Sequence, residues 1–325
     1  MIIDAEHHLF LHELTKGRFE SGKICERYWE GGRIRIRISE EAAKVERCIR
    51  FMDDAGIDKA LLTINQVRTL DQMKRWNDLC AQTVAKYPDR FIGLASVPAS
   101  GGPAALEELD RAIRGLGLRG VHIWTRADGA FLDSRELWPF YERVATFDVP
   151  IDVHILGEAP GFDALQAPYG LYYVVMREFE MVNTVLRVCL GGVLEDFPDL
   201  KFIMNHFGGG VSSIIERLDA YTSYARQPGW PGFYEGKPLI TKPWRTYFDK
   251  LYFNMAGREV GLESLRCALT NISPQRLLFG TDWPFNFDYE PGEVKRYVKG
   301  IRALDLPAAD IEAMLGGNAA RLFRI

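Results

Sequence analysis

The chain has 325 residues, enough to bury one large core, and its 40 Lys and Arg against 44 Asp and Glu leave a formal charge of −4. No basic field marks a nucleic acid or an anionic membrane as partner, and no stretch reaches the roughly 18 successive apolar residues of a membrane span. Five scattered cysteines without a CxxC pair argue against a disulfide framework and a cysteine metal site, and suit a reducing cytoplasm.

The first apolar run, Met1-Ile2-Ile3, leads into the charged cluster "DAEHHL" from Asp4 to Leu9. Residues 9–37, with "GRFESG" and the alternating "RIRIRIS", then read as an inserted loop or small hairpin. Ser39, with Glu40 and Glu41, reads as an N-cap ahead of Val45, Cys48, Ile49 and Met52 at helical spacing, with a stop near Gly56. Seven further β-rich runs follow: "KALLTI" from Lys59, "FIGLASV" from Phe91, "LRGVHI" from Leu118, "VPIDVHI" from Val149, "LKFIMN" from Leu200, "LYFNMA" from Leu251 and "RLLFGT" from Arg276. Helical patterns separate them. Residues 226–249, rich in Pro, Gly, Trp and Tyr, read as a second excursion placed to cover the mouth of the fold. Eight strand-then-helix units predict an α/β fold, a parallel (β/α)8 TIM barrel in one domain spanning 1–325. The competitor is an open doubly wound sheet, which the lack of a Gly-rich dinucleotide fingerprint after the first strand weakens.

Placed on this frame, the ionisable residues converge. His8, His122, His154 and His206 close the first, fourth, fifth and sixth strands, and Asp282 in "GTDWPF" closes the eighth. In a parallel barrel the carboxyl ends of all strands meet at one rim, where active sites are built. Strand alternation points Glu6 and His8 the same way and His7 the other. Glu6, His8, His154 and Asp282 are ordinary ligands of a divalent ion, so the charge after the first strand makes a metal site. His7 and His12 read as neighbours or supporting groups, and His122 as either a site residue or a packed one. Trp124, Trp283, Phe285 and Phe287, just past strand ends, suit a flat apolar substrate.

The motifs "DAEHHL", "DVHI", "MNHFGGG" and "LLFGTDWPF", in that order across nearly the whole chain, resemble those of the amidohydrolase superfamily, in its decarboxylase-like branch. The resemblance implies one metal on Glu6, His8, His154 and Asp282, with His206 beside it as an acid/base partner. It also implies that Asp282 protonates carbon and that Arg217, in the helix after "HFGGG", faces a substrate carboxylate, with Arg68 and Arg126 as weaker candidates. Binuclear hydrolases of the superfamily carry a bridging carboxylated Lys at the end of the fourth strand. Here His122 stands there, and no Lys occurs between Lys86 and Lys201, so a single ion is expected. Two carboxylates with two imidazoles form a harder set than three imidazoles with one carboxylate, which tilts the metal from zinc toward manganese. The implied activity is non-oxidative decarboxylation of a small aromatic or unsaturated carboxylic acid, with a homodimer or homotetramer as the assembly. The rival is a metal-dependent hydrolase of a lactone or cyclic ester, and further off stand a hydratase, an iron-dependent oxygenase and a non-catalytic metal-stabilised scaffold.

Overall fold

A computed structural model describes residues 1–65, 67–155, 168–224, 235, 237–256, 261–286 and 290–325. The strands of the barrel are parallel and run in chain order: β1 (Ile3–His8), β4 (Lys59–Thr63), β5 (Phe91–Gly93), β6 (Ala95–Ser96), β7 (Val121–Trp124), β10 (Ile151–His154), β11 (Phe202–Met204), β12 (Tyr252–Ala256) and β13 (Leu277–Gly280), while β2 (Cys25–Glu30) with β3 (Arg33–Ile38) and β8 (Arg126–Ala127) with β9 (Ala130–Phe131) form separate antiparallel pairs. The run "FIGLASV" splits at Leu94, so that β5 pairs with β4 while β6 pairs with β7. The ladder is therefore two sheets, of three and six strands, in the angular order of a (β/α)8 barrel. The seam between β13 and β1 carries no continuous ladder. Two backbone hydrogen bonds cross it, Asp282 N to Glu6 O at 2.9 Å and His8 N to Trp283 O at 2.8 Å.

Helices cover the outside, and alternation explains the two apolar clusters. Ile3, Leu61, Ile92, Leu94, Ile203 and Leu278 pack together with Ala319, Leu322 and Phe323 from the C-terminal helix Asn318–Phe323, filling the barrel interior below the rim. Each such aliphatic side chain contributes about 1.5–3 kcal/mol on burial. The larger cluster lies between strands and outer helices, where Phe51 and Met52 of α1 (Val45–Ala55) and Trp76 of α2 (Leu70–Lys86) are buried. Gly56, at φ 78°, ends α1 as expected. Ser39 caps a short 3-10 turn, Glu40–Ala43, rather than α1 itself.

The first insertion contains an antiparallel hairpin, β2 (Cys25–Glu30) with β3 (Arg33–Ile38). Gly31 and Gly32, both at positive φ, supply the two-residue turn that matches the twist of its strands. Part of the second excursion, 226–234 and 236, lies outside the described residues. The rest packs on the flank of the fold: Trp244 Nε1 donates to Asp219 at 3.0 Å and Arg245 to Asn271 at 3.0 Å. No helix among the described residues is long and apolar enough to cross a membrane.

Candidate metal centre and its surroundings

The end of β1 is irregular in a way that serves the site. Its pairing with β4 shifts register between Asp4 and His7, so these two residues share one side while Glu6 and His8 share the other. Asp4 then ties β1 to the segment after β13: Oδ1 accepts from the backbone N–H of Glu6 and Thr281 at 3.1 and 2.9 Å, and Oδ2 from the Thr281 hydroxyl at 2.6 Å. His7 Nδ1 completes the cluster, 2.9 Å from Asp4 Oδ2, and its ring stacks on Trp283 at 4.6 Å.

On the inner side, one ligand atom from each of Glu6, His8, His154 and Asp282 lies within 4.8 Å of the others, and all four residues are buried. His8 Nε2 is 3.0 Å from Asp282 Oδ1, and His154 Nε2 is 3.1 Å from Glu6 Oε1. The other ring nitrogens are already engaged, His8 Nδ1 with Thr63 Oγ1 at 2.9 Å and His154 Nδ1 with the Ile155 carbonyl at 3.0 Å. Both imidazoles thus present Nε2 to the centre. The carboxylates are held in turn. Asn254 Nδ2 donates to Glu6 Oε2 at 2.6 Å, and Asn286 Nδ2 to Asp282 Oδ2 at 3.1 Å.

His206 stands beside this quartet, its Nε2 3.5 Å from Glu6 Oε1 and 3.9 Å from Asp282 Oδ2, its Nδ1 3.2 Å from Glu178 Oε1. Burial works against its charge, but Glu178 and Glu6 together raise its pKa well above the ordinary imidazole value. Burial likewise pushes Glu6 up, yet His206 and His154 outweigh it and hold the carboxyl well below the usual range. Burial lowers the pKa of His154, and burial with the neighbouring His154 lowers that of His8 further. An ionised carboxylate facing neutral imidazoles is a donor set ready for a cation. Glu6 Oε1, His154 Nε2 and His206 Nε2 are buried with no hydrogen-bond partner among the described residues. Such atoms are costly unless a cation or a ligand meets them, so the residues fit one divalent ion.

A family profile for amidohydrolases matches residues 3–325. This chain belongs to the amidohydrolase family. Over 299 residues it is 27% identical to a γ-resorcylate decarboxylase of Polaromonas sp. strain JS666, covering 86% of this chain and 87% of that one. Over 255 residues it is 28% identical to a 2-amino-3-carboxymuconate-6-semialdehyde decarboxylase of Dictyostelium discoideum, covering 77% and 66%. Its fold matches that of a dihydroxybenzoic acid decarboxylase from Polaromonas sp. JS666, solved with manganese and the inhibitor 2-nitroresorcinol. The TM-score is 0.75, the identity 24%, and the shares covered are 99% and 96%.

The remaining expected residues divide. In this amidohydrolase-family chain Trp124 sits edge-on to His154 at 5.6 Å, and Phe285 edge-on to His8 at 5.3 Å, so two rings wall the centre. Arg68 lies over Trp124 at 5.5 Å, in a cleft lined also by Val67, Met73 and Ile123. A capping box at the start of α2, Thr69 with Gln72, fixes the backbone there, and Arg68 N itself donates to Gln72. His122 is buried inside the barrel, one layer below the rim, with Nδ1 2.7 Å from Asp152. One expectation is corrected. Trp283 is fully buried between His7 and Phe51 on the outer side of the barrel, because Asp282 points inward and its neighbour must point out. Arg217 is exposed on the helix Ile215–Tyr224 and lies over the Tyr221 ring. Arg126 is paired with Glu180 at 2.6 Å. His12 is exposed, and Phe287 lies outside the described residues. The sequence reading missed Asp4, Asn254, Asn286 and Glu178. Asn254 had a signal, a polar residue at an inward position of an otherwise apolar strand, whereas Glu178 had none.

Proposed function

We propose that this chain is a metal-dependent, non-oxidative decarboxylase of a small aromatic or unsaturated carboxylic acid, a carboxy-lyase working with one divalent ion. The observation that carries the proposal is the pairing of the buried quartet with a second acid/base group, His206, within 4 Å of Glu6 and Asp282. Glu6, His8, His154 and Asp282 would hold the ion, which would supply positive charge to an anionic substrate. The relative solved with manganese and the hard ligand set favour manganese over zinc. Trp124 and Phe285 stack and shield a flat ring, and Arg68 faces its polar edge. Asp282 delivers a proton to the ring carbon bearing the carboxylate. The carbon–carboxylate bond then breaks, its electron pair returns to the ring, and carbon dioxide leaves. His206 keeps Asp282 in the protonation state the step needs. Five free cysteines support a reducing, cytoplasmic setting, and we read the assembly as a homo-oligomer.

The test is turnover of metal-analysed protein on a panel of hydroxybenzoates, unsaturated acids and lactones in heavy water. Carbon dioxide released one-for-one with deuterium at the carbon that lost the carboxylate is the expected result. Brisk lactone opening with every acid untouched would replace decarboxylation by hydrolysis.

A further inference from the structure

Residues 206–210 form one left-handed turn. His206, Phe207, Gly208, Gly209 and Gly210 have φ of 52°, 53°, 66°, 70° and 76°. For a non-glycine residue this conformation costs roughly 1–2 kcal/mol, so an unbroken run of five is held there by what surrounds it. The neighbour is the first turn of the helix Arg177–Leu190. A Cβ on Gly209 would stand 2.1 Å from the Glu178 carbonyl oxygen, and one on Gly208 would stand 2.8 Å from the Phe253 ring and 3.2 Å from Val185. Only glycine permits this approach of backbone to backbone. Its result is that Glu178, from a different element, reaches His206 Nδ1.

We infer that Glu178 is a positioning residue for His206, set in place by the left-handed glycine turn, and that it decides which imidazole nitrogen faces the metal centre. The inference rests on the decarboxylase reading for its kinetic consequence. With Nδ1–H donating to Glu178, Nε2 is the nitrogen 3.5 Å from Glu6 Oε1 and 3.9 Å from Asp282 Oδ2. Without Glu178 the ring loses the partner that orients it and is free to flip, which exchanges Nδ1 and Nε2 at the centre. The backbone N–H of His206 is fixed independently, by Asn254 Oδ1 at 2.9 Å, so loss of Glu178 releases the ring and leaves the chain in place.

The experiment compares wild type, Glu178→Gln and Glu178→Ala, with ring spectra read on zinc-loaded protein whose histidine ring nitrogens are labelled with nitrogen-15, and kcat, KM and thermal stability read on manganese-loaded protein. In wild type, His206 shows a protonated Nδ1. Glu178→Ala loses that signature and about 10- to 100-fold in kcat, the usual cost of removing an orienting partner, with KM and melting temperature unchanged. Glu178→Gln, whose side-chain oxygen still accepts from Nδ1–H, keeps the signature and recovers part of the rate. A wild-type ring spectrum in Glu178→Ala overturns the inference, as does an altered spectrum with wild-type kcat. Should Glu178→Ala not fold, a Glu178→Gln protein without the Nδ1 signature overturns it and one that keeps it supports it. If wild type turns over no acid, the functional proposal fails, while the ring spectra still decide the positioning role.

Discussion

Asn254 is the side chain whose removal tests the site most directly. Fully buried on β12, it donates to Glu6 Oε2 at 2.6 Å while its oxygen accepts from the backbone N–H of His206 at 2.9 Å and of Ala256 at 3.3 Å. Asn254→Ala removes a hydrogen bond to a charged group, worth about 1.5–3 kcal/mol, and strands the His206 N–H, which costs about 1–3 kcal/mol more. Together the loss is roughly 2.5–6 kcal/mol, less whatever an entering water restores. The same change frees Glu6, the ligand shared between His154 and His206, so metal affinity falls as well. Urea unfolding of the metal-free protein measures the first effect, and chelator competition the second. A stability loss below about 1 kcal/mol with unchanged metal affinity would refute the claim that Asn254 holds both Glu6 and the turn at His206.

Purified protein should contain one divalent ion per chain, lost in Glu6→Ala, His8→Ala and His154→Ala by elemental analysis; two ions per chain would make His122 a ligand. Asp282→Asn should keep much of the metal through its amide oxygen yet lose about 10²- to 10⁴-fold in turnover, and full turnover would remove Asp282 from proton transfer. Arg68→Ala should weaken substrate binding by about 1.5–3 kcal/mol, whereas Arg217→Ala should leave KM and kcat unchanged; the opposite pattern would show that Arg217 reaches the substrate. Trp283→Ala should cost about 3–5 kcal/mol of stability by opening a cavity beside Phe51, and a KM change without a stability change would return Trp283 to the pocket.

The fold and the gathering of Glu6, His8, His154 and Asp282 were legible in the chain because both rest on short-range rules. Alternation in strands, helical spacing and the meeting of strand ends at one rim place Glu6, His8, His154 and Asp282 together without any knowledge of distances. The same alternation, applied past the end of β13, is enough to turn Trp283 outward, although a tryptophan after a ligand invites the other reading. Where the rule breaks, only tertiary structure decides. The bulge in β1 moves Asp4 to the side of His7, and nothing in "DAEHHL" announces it. Arg217 was placed by resemblance, yet the direction of a long side chain depends on the packing of its helix, which leaves it over Tyr221. Glu178 shows the limit most plainly. The sequence determined a glycine run after the sixth strand and an acidic residue near the start of a helix 28 positions earlier. That the first lets the second touch His206 follows from a packing so close that a Cβ on Gly209 would stand 2.1 Å from the Glu178 carbonyl oxygen, a property of packed elements that no local pattern of residues encodes.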